Sequence, residues 1–288
     1  MAIMLDGTTR VIIQGITGKA GSYHALEMRR QGTNVVAGVS PGRGGEKIDG
    51  IPVFDTVQEA VDAFRPDLSL VLVPARFAKD AALEAMAAGV KTVVVVAEGV
   101  PVHDSLELTA KARQYGCRVV GPNTPGIFSP GKAKAGIMPT NAFKPGHVGI
   151  VSRSGTLSYE TASELTRAGL GQSTFVGLGG DMVRGTSFVD VLSLFKDDPE
   201  THGIVLIGEI GGYQEELAAK YIKENVNKPV VAFIAGRKAK PGRRMGHAGA
   251  LVMGGVGTYE SKVETLKEAG VQVADSPADI ARIMARIL

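Results

Sequence analysis

The feature that most restricts the fold of this chain is a repeated alternation between short apolar runs and longer segments with helical spacing. In the first half, apolar runs of strand length lie at residues 10–13, 34–39, 68–73, 92–96 and 118–120. Helical spacing occurs between these runs, as at residues 77–88 and 105–115. Because the runs are apolar throughout, each strand should be covered on both faces. The alternation therefore predicts an α/β fold with a parallel, doubly wound sheet.

A second series of the same kind follows a Gly/Pro-rich passage. Its apolar runs lie at residues 147–151, 173–176, 203–207 and 229–234, and its helical segments at residues 157–168, 213–225 and 258–269. We therefore predict two α/β domains, residues 1–122 and 147–288, joined by a Gly/Pro-rich connection at residues 123–146.

Composition argues against several other classes of protein. The net charge is only +3 and the basic residues are scattered, so neither nucleic acid nor a membrane surface is expected as a partner. A single cysteine, Cys117, rules out an internal disulfide and suits a cytoplasmic location. The five histidines show no zinc-binding spacing, and we predict no metal site. No run approaches the roughly 20 apolar residues that a spanning helix needs.

The first motif with chemical meaning is the glycine-rich segment at residues 15–21, GITGKAG, directly after the first predicted strand. Glycines at this position let the backbone approach a phosphate, and a helix start favours its negative charge. Arg43 lies in the Gly-rich loop after the second predicted strand, where a dinucleotide fold usually has an acidic residue. Arg43 suits an additional phosphate, either the 3′-phosphate of coenzyme A or the 2′-phosphate of NADP. A solvated surface arginine is the alternative.

The second half contains several small-residue turns at predicted strand ends. They are residues 152–157 (SRSGTL), 177–181 (GLGGD), 208–212 (GEIGG) and 245–250 (MGHAGA). Taken alone, the first turn is better explained as a helix N-cap than as an anion site. Strand ends of an open α/β sheet are nevertheless where ligands bind, so the set as a whole indicates a site.

His247 lies among glycine and alanine neighbours, which leave space for its ring to move. A neutral imidazole can accept a phosphoryl group and release it again. Glu209, at the end of a predicted strand, could orient such a histidine. The alternatives are a surface histidine without a role and a solvated or capping carboxylate.

The ordered set of these motifs resembles the α subunits of succinyl-CoA synthetases along essentially the whole chain. The most specific elements are residues 208–212 and 245–250. The resemblance implies an N-terminal Rossmann-like CoA-binding domain and a C-terminal flavodoxin-like ligase domain. It also implies that His247 is phosphorylated, that Glu209 orients it, and that the phosphate passes to a carboxylic acid before the CoA thiol displaces it.

The resemblance assigns further residues to ligands. The implied contacts with CoA are Thr17, Gly18, Lys19, Ala20, Arg43, Val96, Ala97 and Glu98. Tyr159 corresponds to a residue near the substrate and the partner subunit, and Ser154 and Gly155 would hold phosphate at a helix start. The expected reaction is succinate–CoA ligation, as in the tricarboxylic acid cycle.

The chain contains no nucleotide-binding loop of the form G-x-x-x-x-G-K-[ST]. The resemblance places ATP or GTP, with Mg²⁺, mainly on an ATP-grasp β subunit. We therefore expect a heterodimer or heterotetramer that acts on a small carboxylic acid and uses CoA as a substrate.

Departures from the family pattern leave the acid open. Arg43 replaces a lysine, Thr124 replaces a cysteine, and Met182 with Arg184 follows Asp181 where proline is usual. Arg184 could donate to a larger acid, so malate–CoA or citrate–CoA ligation stays possible. Arg184 could equally be a surface residue. Two other classes also remain: an NADP-dependent oxidoreductase and a non-catalytic CoA-binding regulator.

Overall fold

The computed structural model describes residues 2–239 and 242–288. The chain divides into two compact units. The first unit consists of Met4–Ile137 and Val183–Thr186, and the second consists mainly of Met138–Met182 and Ser187–Leu288. The division at residue 137 falls inside the predicted connection, residues 123–146. That segment is not a plain linker, because it contains two strands of the first unit and the start of a strand of the second.

The first unit alternates strands and helices. Its strands are β1 (Arg10–Gln14), β2 (Asn34–Val39), β3 (Lys47–Ile48), β4 (Ile51–Phe54), β5 (Leu68–Val71), β6 (Thr92–Val95), β7 (Arg118–Val120), β8 (Gly126–Ser129) and β9 (Ala133–Gly136). Its helices are α1 (Lys19–Arg30), α2 (Val57–Phe64), α3 (Ala75–Ala87) and α4 (Val102–Tyr115).

The sheet of the first unit has the strand order β3-β4-β2-β1-β5-β6-β7. Neighbouring strands from β4 to β7 are parallel, and β3 pairs antiparallel with β4. Without the short β3, this is the 3-2-1-4-5-6 order of a Rossmann fold, with the strand order reversing between β1 and β5. The predicted Rossmann-like fold is therefore confirmed. Strands β8 and β9 pair antiparallel with each other.

The second unit is a parallel α/β unit. Its strands are β10 (Pro145–Ser152), β11 (Gln172–Gly177), β12 (Gly203–Glu209), β13 (Val230–Ala235) and β14 (Gln272–Val273). Its helices are α5 (Gly155–Arg167), α6 (Phe188–Asp197), α7 (Gln214–Asn225), α8 (Tyr259–Glu268) and α9 (Pro277–Ile287).

These strands lie in the order β14-β13-β12-β10-β11, and their neighbouring pairs are parallel. Read in the other direction, the order is the 2-1-3-4-5 of flavodoxin-like folds, which confirms that prediction. The central strands β10 and β12 are buried over most of their length. Because β10 and β12 are parallel neighbours, their carboxyl ends lie side by side, at the edge of the sheet where such folds bind ligands.

Within the described residues, no helix is both long and apolar enough to cross a membrane.

Candidate active site

The turn between β1 and α1 has the backbone shape of an anion-binding site. Gly15 has a φ of +82°, and a Cβ there would lie 2.7 Å from the carbonyl oxygen of Leu72. A Cβ at Gly21 would lie 2.1 Å from the carbonyl oxygen of Gly15, so both positions require glycine. In the described structure no side chain caps α1, and no acidic residue lies in its first turn. The N–H groups at this helix start can therefore bind a phosphate.

The residues predicted to contact CoA follow strands whose carboxyl ends lie at one edge of the first sheet. Gln14 of β1 pairs with Val39 of β2 and with Val71 of β5, and Val71 pairs with Val95 of β6. The strands therefore end level with one another. This edge carries the predicted residues Thr17, Gly18, Lys19, Ala20, Arg43, Val96, Ala97 and Glu98.

A cavity of about 380 Å³ lies beside Gly15 at the same edge. Val39 and Pro41 line it at the end of β2, and Val73 and Phe77 line it at the end of β5 and on α3. Such an apolar wall next to a phosphate-binding turn suits a ligand with a flat or hydrocarbon part and a phosphate.

Arg43 is exposed and pairs with Glu46. The Nη2 atom of Arg43 donates to Oε2 of Glu46 at 2.7 Å. A ligand phosphate would have to compete with this carboxylate for the guanidinium group. The predicted contact between Arg43 and a phosphate stays a prediction.

In the second unit, the structure brings His247 and Glu209 together as predicted. Nδ1 of His247 lies 2.8 Å from Oε2 of Glu209. Glu209 is the last residue of β12 and is almost fully buried, whereas the His247 side chain is 30% exposed. Because an ionised carboxylate only accepts hydrogen bonds, Nδ1 must carry the hydrogen. The neutral ring then has its lone pair on Nε2, which is the nucleophilic nitrogen.

The backbone around His247 packs closely against the imidazole ring, because the surrounding residues are small. A Cβ at Gly180 would lie 2.4 Å from Cγ of His247, so the ring packs directly on this glycine. The N–H of Gly249 donates to the carbonyl of Gly180 at 3.0 Å, and the N–H of Met245 donates to the carbonyl of Ala250 at 3.0 Å. The ring therefore sits in a closed turn rather than on an extended surface loop.

Three charged residues behind Glu209 were not predicted from the sequence. Nη2 of Arg153 lies 3.0 Å from Oε1 of Glu209, and Nη1 of Arg153 lies 2.9 Å from Oε1 of Glu215. Nζ of Lys262 lies 2.5 Å from Oε2 of Glu215. Burial of Glu215 opposes its ionisation, but the charges of Arg153 and Lys262 outweigh burial and lower its pKa.

The sequence contains weak signals for these residues. Arg153 lies in the SRSGTL turn between a buried strand and a helix, and Lys262 lies in the first turns of α8, where a cation is unfavourable to the helix dipole. Only the folded structure shows which carboxylates compensate these charges.

Ser154 is the N-cap of α5, and its Oγ accepts from the N–H of Leu157 at 3.4 Å. The capping interpretation is therefore confirmed, and α5 begins at Gly155. Tyr159 lies further along α5 with its ring edge against Phe143, and burial raises its pKa to about 12. The contacts of Ser154, Gly155 and Tyr159 with phosphate or substrate remain predictions.

The residues that depart from the family pattern have different surroundings. Thr124 is buried, and its Oγ1 accepts from the N–H of Gly126 at 3.0 Å. Met182 is 55% exposed, whereas Arg184 is only partly exposed. Thr124 thus stabilises its own turn through this hydrogen bond. Whether Arg184 contacts an acid or is a surface residue stays open.

His103, Asp104 and Glu107 place possible metal-ligand atoms within 4.8 Å of one another. Nζ of Lys79, however, lies 3.2 Å from Asp104 and 3.1 Å from Glu107. A cation of the chain thus already pairs with both carboxylates, and the absence of a metal site stays a prediction.

Comparison with protein families gives two matches. The CoA binding domain matches residues 6–99, which contain the phosphate-binding turn and most of the first sheet. The CoA-ligase family matches residues 151–272, which contain Arg153, Glu209 and His247. Together with the fold, the two matches define the class of two-domain CoA ligases.

Curated relatives identify the family within that class. The succinate–CoA ligase (ADP-forming) subunit alpha 2 of Archaeoglobus fulgidus is 54% identical over 288 residues, which cover 100% of both chains. The corresponding alpha subunit of Aquifex aeolicus is 54% identical over 290 residues, covering 100% of this chain and 95% of its own. The chain belongs to the family of succinate–CoA ligase α subunits.

Solved structures show the same architecture. ATP citrate lyase from Methanothrix soehngenii, in complex with citrate and coenzyme A, superposes with a TM-score of 0.89 at 26% identity. The match covers 99% of this chain and 50% of the lyase chain, so this chain spans about half the length of that protein.

Proposed function

We propose that this chain, together with a β subunit, catalyses the reversible ligation of succinate and CoA with conversion of ATP to ADP and phosphate. The observation that carries the proposal is the 2.8 Å contact between Nδ1 of His247 and Oε2 of Glu209, in a chain 54% identical over its full length to an ADP-forming succinate–CoA ligase α subunit.

In the first step, Nε2 of His247 attacks the γ-phosphorus of ATP, and the bond to the leaving ADP breaks. Positive charge develops on the ring as the N–P bond forms. Glu209 accepts the hydrogen bond from Nδ1 and stabilises this charge, while it holds the ring in one orientation. The helix start at Ser154 and Gly155 offers N–H groups for the phosphate oxygens.

In the second step, a carboxylate oxygen of the acid attacks the phosphorus of the phosphohistidine. The N–P bond breaks, an acyl phosphate forms, and His247 returns to its neutral state. The CoA thiol then attacks the acyl carbon, the thiol proton is released and phosphate leaves. Division into these steps replaces a difficult direct condensation with substitutions at activated centres.

The turn at residues 15–21 would bind CoA, with its diphosphate at the start of α1 and its apolar parts in the adjacent cavity. Arg43 would exchange Glu46 for the 3′-phosphate. The CoA binding match over residues 6–99 supports this assignment and disfavours NADP. We retain the domain bounds 1–122 and 147–288, with the connection at residues 123–146, as our proposal.

The α-subunit names of the relatives imply a β subunit. We propose that the β subunit has an ATP-grasp fold, that it holds the nucleotide and Mg²⁺, and that the complex is a heterodimer or heterotetramer. A cytoplasmic location agrees with the single cysteine of the chain.

Citrate is the second candidate acid, because the superposed lyase structure contains citrate and coenzyme A. The test is thioester formation by the purified αβ complex with succinate, malate or citrate, each with ATP and with GTP. We expect succinate with ATP to give the highest kcat/KM. A higher kcat/KM with citrate or malate would refute the succinate assignment, and no thioester with any acid would refute the ligase function.

A further inference from the structure

Behind the histidine site lies a buried charge row, which we define as Glu209, Arg153, Glu215 and Lys262. The charges alternate along the row, with contacts of 3.0 Å, 2.9 Å and 2.5 Å between successive side chains. The exposed fractions of the side chains are 7%, 3%, 0% and 0%. The row therefore leads from the carboxylate that contacts His247 into the interior of the second unit.

Such a row is a costly way to stabilise a core. Each ion loses its hydration on burial, and apolar side chains of similar volume are often at least as stabilising as a buried ion pair. Removal of a single member is strongly destabilising, because it leaves an opposite charge uncompensated. Stability alone gives no reason for four buried charges at this place, so a role in the adjacent site is the more direct explanation.

Arg153 is the central member of the row. Its Nη1 donates to Oε1 of Glu215 at 2.9 Å and to the carbonyl oxygens of Glu209 and Gly211 at 3.2 Å. Its Nη2 faces the Glu209 carboxylate at 3.0 Å. A single planar guanidinium group thus fixes both the backbone at the end of β12 and the side chain there, which a lysine cannot do.

The Glu209 carboxylate depends on this arginine. Its Oε2 contacts His247, whereas its Oε1 is buried and accepts no hydrogen bond within the described residues. The ion contact with Nη2 of Arg153 is therefore what compensates Oε1. Without that contact, the buried carboxylate could turn away from His247 or take up a proton, and it would no longer orient the ring.

The far end of the row holds Arg153 in place. Nζ of Lys262 donates to Oε2 of Glu215, to Oε2 of Glu216 at 2.9 Å and to the carbonyl of Gly212 at 3.0 Å. The fully buried Glu215 is thereby fixed between two cations. A Cβ at Gly249 would lie 2.7 Å from Nη2 of Arg153, so the histidine turn itself packs against the guanidinium group.

We propose that Arg153 is a positioning residue that acts through Glu209: it fixes the carboxylate so that His247 keeps its hydrogen on Nδ1 and its lone pair on Nε2. Glu215 and Lys262 hold Arg153 in this position. The inference rests on the proposed function, in which His247 is phosphorylated.

The first test compares Arg153→Lys and Arg153→Met with the unaltered αβ complex in rapid-quench labelling by γ-labelled ATP. The rate of histidine labelling at saturating ATP should fall about 10- to 100-fold in both variants. It should fall less in Arg153→Lys, which keeps the charge. KM for ATP and Kd for CoA should stay unchanged. The matched control is Arg167→Met, which removes an exposed arginine that pairs with Glu164 on the surface of α5.

The second test reads the ring directly and separates positioning from a purely structural role. In the complex with ¹⁵N-labelled histidine, signals of His247 are identified by their loss in His247→Asn. We expect the unaltered ring to show a protonated Nδ1 and an unprotonated Nε2, and the folded Arg153→Lys variant to show a mixture of tautomers.

The outcomes are distinguishable. Labelling rate and tautomer unchanged in a folded Arg153→Lys or Arg153→Met complex would overturn the positioning role and leave the proposed function intact. Loss of labelling with an unchanged tautomer would also overturn it, because Arg153 would then act other than through the ring. If the unaltered complex itself gave no label on His247, the proposed function would fail first.

Discussion

The contact between His247 and Glu209 determines which ring nitrogen can react. Since Nδ1 lies 2.8 Å from a carboxylate oxygen, it acts as the donor, and Nε2 is the nitrogen that would act as the nucleophile in the proposed reaction. The 7% exposure of Glu209 and the 30% exposure of His247 mean that the orienting group is shielded while the ring reaches solvent. Glu209 thus fixes the Nδ1 side of the ring, while the His247 side chain stays accessible.

Replacement of Glu209 by glutamine tests this arrangement at the level of one atom. The amide removes the negative charge that stabilises the ring during phosphorylation, so labelling of His247 should slow about 10- to 100-fold. CoA affinity should not change. Rapid-quench labelling measures the effect, with Glu268→Gln, at an exposed position on α8, as the control. Equal rates in the two variants would contradict the role of Glu209.

Lys134 gives a second prediction at the residue scale. Burial lowers its pKa to about 8, below the ordinary lysine value of about 10.4. Between these two pH values the unfolded chain binds more protons than the folded one, so the free energy of unfolding rises with pH there. At pH 7 Lys134 is charged in both the folded and the unfolded chain, so the whole unfavourable free energy of burying the charge is subtracted from the free energy of unfolding.

Replacement of Lys134 by methionine should therefore stabilise the first unit at pH 7 by about 1–3 kcal/mol. It should also abolish the rise in stability between pH 8 and pH 10. Urea unfolding at several pH values measures both effects, with the exposed Lys47→Met as the control. A destabilised Lys134→Met chain would show that the ammonium group is compensated in the fold.

At the scale of elements, the site depends on strand ends and the turns that follow them. β10 and β12 are neighbours whose residues Ser152 and Ile207 pair, so Arg153, directly after β10, lies near Glu209, the last residue of β12. Because Gly180 and Gly249 have no side chains, the turn that contains His247 can pack closely against the residues at these strand ends. The geometry of the site follows from the strand order and from the absence of side chains at these glycines.

Replacement of Gly180 by alanine tests the close approach. The added methyl carbon would lie 2.4 Å from Cγ of His247, so the ring must move away from Glu209. We expect slower labelling of His247, by at least about 10-fold, with CoA binding retained. Gly7→Ala is the control, because the nearest atom to its added carbon, the carbonyl oxygen of Lys132, lies at an ordinary contact distance of 3.6 Å. Unchanged labelling in Gly180→Ala would show that the ring tolerates another position.

At the scale of the whole molecule, much of the architecture could be predicted from the sequence. The apolar runs predicted the main parallel strands, because strands covered on both faces contain few polar residues. The short strands β3 and β4 were missed, since Lys47 and Pro52 interrupt the pattern. The start of α3 was placed at Phe77 rather than Ala75, because Pro74 at the N-cap reads as a breaker although it precedes the first turn.

The candidate site was partly predictable for a physical reason. His247 and Glu209 lie in glycine-rich turns, which leave a local trace in the sequence. Arg153 and Glu215 are 62 residues apart, and Glu215 and Lys262 are 47 residues apart. Such pairs are created by strand order and leave no local pattern, so the buried charge row was found only in the structure.

We expect the two units to have separate roles: the first binds CoA, and His247 of the second is phosphorylated. Gly21→Ala places a carbon 2.1 Å from the carbonyl oxygen of Gly15 and should open the phosphate-binding turn. We expect CoA affinity to fall at least about 10-fold, while labelling of His247 by ATP in the absence of CoA continues. Calorimetric titration of the complex with CoA measures the first effect, and Gly7→Ala, whose added carbon lies no closer than 3.6 Å to another atom, is the control. Loss of labelling together with CoA binding would contradict the separation.

The measurement that tests the central claim most directly is incubation of the αβ complex with γ-labelled ATP and Mg²⁺, followed by peptide mapping and tests of label stability in acid and base. The account predicts an acid-labile, base-stable phosphate on Nε2 of His247, which disappears in His247→Asn. Label that persists in His247→Asn, or no label with either ATP or GTP, would contradict the account.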